Sequence, residues 1–268
     1  MANNNVAANV LATIGATLWC IQLIPQIIRN YRVKDCTGLP PLMMFLWMIS
    51  GIPFGIYFSV TDATIPVKIQ PHLFTFFASL TFIQTLYYPP VQIPKTRVIA
   101  VIVLTYATAI GLEVGVILNM IPRYKANGHD NDWGPVLAVG VTASILLAAG
   151  LIPPYLELSK NKGRVVGLNF MFLAMDCAGA IFSTASVALS SSEPGKELDV
   201  MGITLYIIVA GMELGIFASH GIWYLRYRTF NKGGEDVGLQ LQSDAEEISD
   251  SACVSVHTSD KGSCCYKF

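Results

Sequence analysis

The sequence predicts an all-α membrane protein, with seven transmembrane helices arranged as two parallel three-helix repeats joined by a linker helix. Three observations predict it. Hydrophobic residues fill 53% of the 268 positions and charged residues only 13%, about half the roughly 25% charge of a soluble domain. Seven apolar stretches each approach the roughly 20 residues that a bilayer needs. A short motif also recurs at a constant spacing, which is how an internal repeat shows itself.

The stretches run at about 6–28, 40–60, 72–91, 97–121, 134–157, 168–190 and 200–224. The first carries Pro25-Gln26 near its end. A basic turn through Arg29, Arg32 and Lys34 follows, and Gly38-Leu39 opens the second stretch. A diverged copy comes later: Pro154 matches Pro25, Gly167 matches Gly38 and Leu168 matches Leu39, all at an offset of 129. Tyr155 stands where the second glutamine would fall. The offset maps stretches one to three (about 6–91) onto five to seven (about 134–224) and leaves the fourth, about 97–121, as a linker. Parallel repeats about an axis along the membrane normal are a transporter architecture. With short connections, residues 1–228 form one transmembrane domain. Residues 229–268 are acidic and Ser-rich without apolar periodicity, so a disordered tail is expected there.

Lys and Arg in the short loops set the orientation. Eleven lie on the side of the basic turns and four on the other. This places the turns and the tail in the cytoplasm and the N-terminus in a lumen. The N-terminus, Met1-Ala-Asn-Asn-Asn, lacks the basic region of a signal peptide.

Pro25-Gln26, Gly38-Leu39, Trp47 and Gly51 make the chain resemble the PQ-loop repeat membrane proteins. That group includes cystinosin, the vacuolar basic amino acid exporters and, more distantly, the SWEET sugar transporters. The resemblance covers roughly residues 6–228. It implies a small-solute transporter working by alternating access, with an amino acid leaving a vacuole or lysosome-like compartment as the expected cargo. Acidic residues near the glycine after the tryptophan help couple such exporters to protons, and Gly51-Ile52 stands at that place here. The missing acid and the missing second glutamine favour the alternative, a non-transporting PQ-loop protein in lipid handling or membrane trafficking.

Each helix-internal proline removes a backbone hydrogen bond and clashes with the carbonyl four residues earlier, so Pro25 and Pro154 mark kinks. Their matched placement makes Pro25, Gln26 and Pro154 candidate hinges, a role similar prolines have in the family. Ionisable residues inside membrane helices are costly and mark functional sites. Asp176 and Glu213 are the deep acids outside the linker; the offset aligns Asp176 on Trp47 and Glu213 on Gln84. Gln84 and Glu213 should share one depth and form a polar pair across the central path. Gln84, Asp176 and Glu213 are therefore the candidate substrate-binding or proton-coupling residues. Glu113, in the linker, is read as a structural hydrogen-bond partner. Trp19, Trp47, Met43 and Met44 are read as packing.

Several classes are excluded. A net charge of -1 offers no bulk attraction to nucleic acid. The six cysteines have no metal spacing and suggest no disulfide framework. No nucleophile elbow or phosphate-binding glycine loop is present, so neither an enzyme nor a cofactor is expected. The expected partners are the lipid bilayer, a small solute, a proton as coupling ion and, in a homo-oligomer, further copies of the chain.

Overall fold

A computed structural model describes residues 2–61, 65–128, 133–191 and 202–227. The chain divides into two units, Met1–His220 and Gly221–Phe268. Of the second, residues 221–227 are described; they are helical, and Trp223 stacks on Tyr227 at 5.5 Å. The expected disordered tail lies outside the described residues.

The described residues are helical with no strand. The helices are α1 (Ala2–Ile21), α2 (Leu23–Val33), α3 (Pro41–Val60), α4 (Ile65–Tyr87), α5 (Lys95–Ala126), α6 (Gly134–Gly150), α7 (Ile152–Lys160), α8 (Phe170–Ser191) and α9 (Gly202–Tyr227). α1 with α2, and α6 with α7, are each one apolar rod interrupted once, so seven rods lie where seven stretches were expected. Six are long and apolar enough to cross a membrane. α4 is not among them, because Lys68, Gln70, His72 and Gln84 dilute its hydropathy. It also begins at Ile65, before Pro71, and not at 72. A proline inside a membrane helix is tolerated where the surroundings accommodate it. Here Gly51 of α3 gives the room: the Pro71 carbonyl and the Thr75 side chain occupy the space a β-carbon would take.

The two interruptions follow from the prolines. α1 ends at Ile21 and α6 at Gly150, each four residues before Pro25 or Pro154. The interrupted positions, Gln22 and Leu151, stand 129 apart like the prolines themselves.

After the interruptions the chain makes two turns that touch back to back. Gly38 has φ of 85° and Gly167 of 80°, in the left-handed region that favours glycine. A β-carbon on Gly38 would meet the Val166 carbonyl, and one on Gly167 the Thr37 carbonyl. Residues 37 and 166 are again 129 apart, so the contact is symmetric about the point where the turns meet. The first turn is braced locally: Thr37 donates from its N–H (2.8 Å) and its hydroxyl (2.7 Å) to Asp35 Oδ1. These bonds hold the Asp35 carboxyl below the usual carboxylate range.

Cys36 lies between them and is buried. Burial, then the Asp35 carboxylate, push its thiol up to about 11, against a pull from Arg29. The thiolate is the reactive form. Maleimide labelling of the folded protein near pH 7.5 should therefore be roughly a hundredfold slower at Cys36 than at a free cysteine, and ordinary after unfolding. Peptide mass spectrometry of the labelled protein checks this, and rapid labelling of Cys36 in the folded state would contradict the burial.

Two indoles fasten the rods. Trp19 of α1 donates to the Asp176 carbonyl of α8 at 3.2 Å, and Trp47 of α3 to the Leu147 carbonyl of α6 at 3.1 Å. Each ring fills the space beside a glycine three residues further on, Gly179 and Gly150. α5 keeps most of its surface outward and packs on α3 through Met120 and Tyr124, buried against Ile56 and Val60. Two polar contacts tie it to α4: Tyr106 Oη to Ser79 Oγ at 2.6 Å, and Glu113 to His72 at 3.2 Å. Glu113 was expected to make a structural hydrogen bond; its Oε1 lies against His72 but forms none.

Candidate functional site

A cavity of about 230 Å³ lies among the rods, many times the roughly 30 Å³ share of one water. α1, α3, α4, α6, α8 and α9 all line it, and no α5 residue does. Its wall uses the N-terminal halves of α4 and α9, α6 from Gly140 to Leu147 and the C-terminal half of α3, so it extends away from the basic turns. At its turn-side floor stand Gln22, Trp47 and Asp176. Trp19 and Tyr206 pair beside them, ring centroids 5.1 Å apart, and Trp47 packs on Phe74 at 5.6 Å.

Asp176 reaches this floor from α8. Gln22 and Trp19 lie against its carboxyl, and Glu213 of α9 meets it from behind. Asp176 is 4% exposed and Glu213 0%. Two carboxylates cannot donate to each other, and neither Glu213 oxygen has another partner. The contact becomes a hydrogen bond only with a proton between the two groups. Cys177 lies beside both acids and Tyr155 beside Glu213. Such a pair can hold a proton at the edge of the cavity.

On the turn side of this floor Gln26 and Asn169 cross-link the rods. Gln26, 0% exposed, donates through Nε2 to Asn30 Oδ1 (2.8 Å) and to the Gly167 carbonyl (3.0 Å). Its Oε1 accepts from the Asn169 N–H at 2.7 Å. Asn169 also donates through Nδ2 to the Pro25 carbonyl (3.2 Å), and its Oδ1 caps α8 by accepting from the Met171 N–H (2.8 Å). The Pro25 carbonyl is thus taken by a side chain of the opposite motif copy.

The comparisons fit this geometry. The family model for the PQ loop repeat matches residues 7–67, which contain Gln26 and the first turn. An uncharacterized membrane protein of Saccharomyces cerevisiae is 50% identical over 244 residues, covering 90% of this chain and 76% of its own length. An uncharacterized protein of Schizosaccharomyces pombe is 34% identical over 214 residues, covering 80% of this chain and 71% of its own. The chain belongs to the PQ-loop repeat family.

As a PQ-loop protein it uses its two motif copies differently. Tyr155, in the place of Gln26, sends its hydroxyl to the Met212 carbonyl of α9 instead of to the other turn. The reason lies at position 40. Gln26 needs the Asn169 N–H, and the residue matching Asn169 is Pro40, which has none. A glutamine at 155 would lack the donor that Gln26 enjoys.

Of the predicted site residues, the structure brings Asp176 and Glu213 together and leaves Gln84 elsewhere. Gln84 accepts from Asn30 Nδ2 (3.0 Å) and donates to the Ile27 carbonyl (3.1 Å). Its side chain is spent on bracing α2, so the expected Gln84–Glu213 pair gives way to Asp176–Glu213. Pro25, Gln26 and Pro154 sit at the two interruptions and the cross-link. Met43 and Met44 are core residues, as expected, whereas Trp19 and Trp47 both pack and line the cavity. Gln22 and Asn169 were missed. Gln22 carries a faint signal: a polar residue three before a helix-breaking proline, inside an apolar run.

Proposed function

We propose that this PQ-loop protein carries a small solute across a membrane. The observation that supports it best is the cavity walled by six rods and by none of α5. That wall suits two three-helix repeats flanking a solute site, with α5 as the joining helix. Alternating access would come from one repeat rocking on the other, with the interruptions at Gln22 and Leu151 as hinges and the Gln26 cross-link as the closed cytoplasmic side. By resemblance the cargo is an amino acid and the membrane that of a vacuole or lysosome, N-terminus lumenal. The roomy cavity, mostly apolar but with Gln22 and Asp176 at its floor, supports this reading over a role in lipid handling or trafficking.

The Asp176–Glu213 pair supports proton coupling in place of the family's own acid. Flux into proteoliposomes, measured across a pH series with a solute panel, tests both parts. Wild-type flux is expected to vary with pH. Glu213→Gln should fold and flatten the profile, since an amide cannot carry the proton. A profile unchanged in Glu213→Gln ends the proton role; no flux for any solute in the panel counts against transport.

A further inference from the structure

The hydrogen-bond donors at the cavity floor are already engaged. Both its indole N–H groups are spent on the Asp176 and Leu147 carbonyls. Ser144 donates to the Gly140 carbonyl at 3.0 Å and Ser186 to that of Ala8 at 2.8 Å. What is left unpaired at the floor is an acceptor. Gln22 is 2% exposed, lies against Asp176, and its Oε1 has no partner. Asp176 adds a carboxyl. A buried acceptor left unpaired is destabilising, and a donor-bearing ligand would satisfy it. No Lys, Arg or His stands among the described residues lining the cavity, so nothing there is matched to an anion. Trp19, Trp47 and Tyr206 supply ring faces, which attract cations and hold apolar groups.

We propose that the cavity binds a small organic amine without a carboxylate: its ammonium donates to Gln22 Oε1 and Asp176, and its apolar body lies between the tryptophan and tyrosine rings. This rests on reading the cavity as the solute site, and puts an amine in place of the amino acid that the resemblance implies. An amino acid's carboxylate would be desolvated beside Asp176 with no cation to meet it. A neutral alcohol of the same shape would fill the space but offer no charge.

The test is thermal unfolding of the purified full-length protein with three matched probes. 2-Phenylethylamine should raise the midpoint saturably, because a ligand of the folded state stabilises it. Phenylalanine and 2-phenylethanol should bind at least about tenfold more weakly, the worth of a charged hydrogen bond. Equal stabilisation by the alcohol would mean an apolar cavity only, and equal stabilisation by phenylalanine would mean that a carboxylate is accepted. Either result, or no response to the amine, overturns the proposal. This series needs no variant. Where Asp176→Asn folds it should abolish the response, and Gln22→Leu should weaken it about tenfold; an unchanged response in both overturns the assignment of the floor. Proteoliposome uptake separates the two readings. Amine binding without uptake of any solute removes the transport reading and keeps the site. Amino acid uptake without amine binding removes the site and keeps transport.

Discussion

Gly167→Ala is expected to lower stability by at least about 3 kcal/mol, or to leave no folded protein to recover from the membrane. Gly167 holds φ of 80°, where an L side chain pays roughly 1–2 kcal/mol. The new β-carbon would also lie 2.6 Å from the Gly38 carbonyl carbon and from the Leu39 nitrogen. These are backbone atoms of the opposite turn and cannot rotate away, so the turns must separate. Gly38→Ala should behave alike, since its β-carbon would lie 2.6 Å from the Val166 carbonyl carbon. Gly111→Ala is the control: its β-carbon meets nothing within 4 Å, and in a helix alanine is preferred to glycine. Fluorescence-detected size exclusion with a heating series measures all three. Gly167→Ala protein as heat-stable as Gly111→Ala protein would show that the turns do not touch.

Gln26→Ala should cost about 3–5 kcal/mol, from two orphaned buried backbone groups and a lost side-chain bond. It removes three hydrogen bonds at a fully buried position. The Asn169 N–H and the Gly167 carbonyl then lose their partner where water does not reach, and each orphaned group costs about 1–3 kcal/mol. Tyr155→Phe is the matched comparison. It deletes one hydroxyl whose recorded bond goes to the Met212 carbonyl within the same repeat copy, so about 1 kcal/mol is expected. Equal losses in the two variants would remove the asymmetry drawn between the motif copies. Tyr155→Gln should not restore a second cross-link, because Pro40 offers no N–H.

Much of the site was legible before the structure. Pro25 and Pro154 announced the interruptions because the clash of a proline ring is local and needs no neighbour. Gly38 and Gly167 announced turns for the same reason. The acids announced themselves because charge is rare and costly in an apolar helix. Their pairing was not legible. The offset put Glu213 opposite Gln84, but symmetry fixes depth and not the direction in which a side chain points. Gln84 found nearer partners in Asn30 and Ile27, and Glu213 turned to Asp176.

The sequence by itself determined the helical membrane class, the seven rods, the repeat offset and the places where two rods break. Each of these depends on composition, length or local backbone sterics, which every residue carries with it. Only the tertiary structure decided which groups meet: Gly38 on Gly167, Gln26 on Asn169, Asp176 on Glu213, and Gln22 at the cavity floor with an unmatched acceptor. Those pairs lie up to 154 residues apart in the chain (Gln22 and Asp176). They arise from rod packing and from competition among neighbours for each donor, and neither is written in any single stretch.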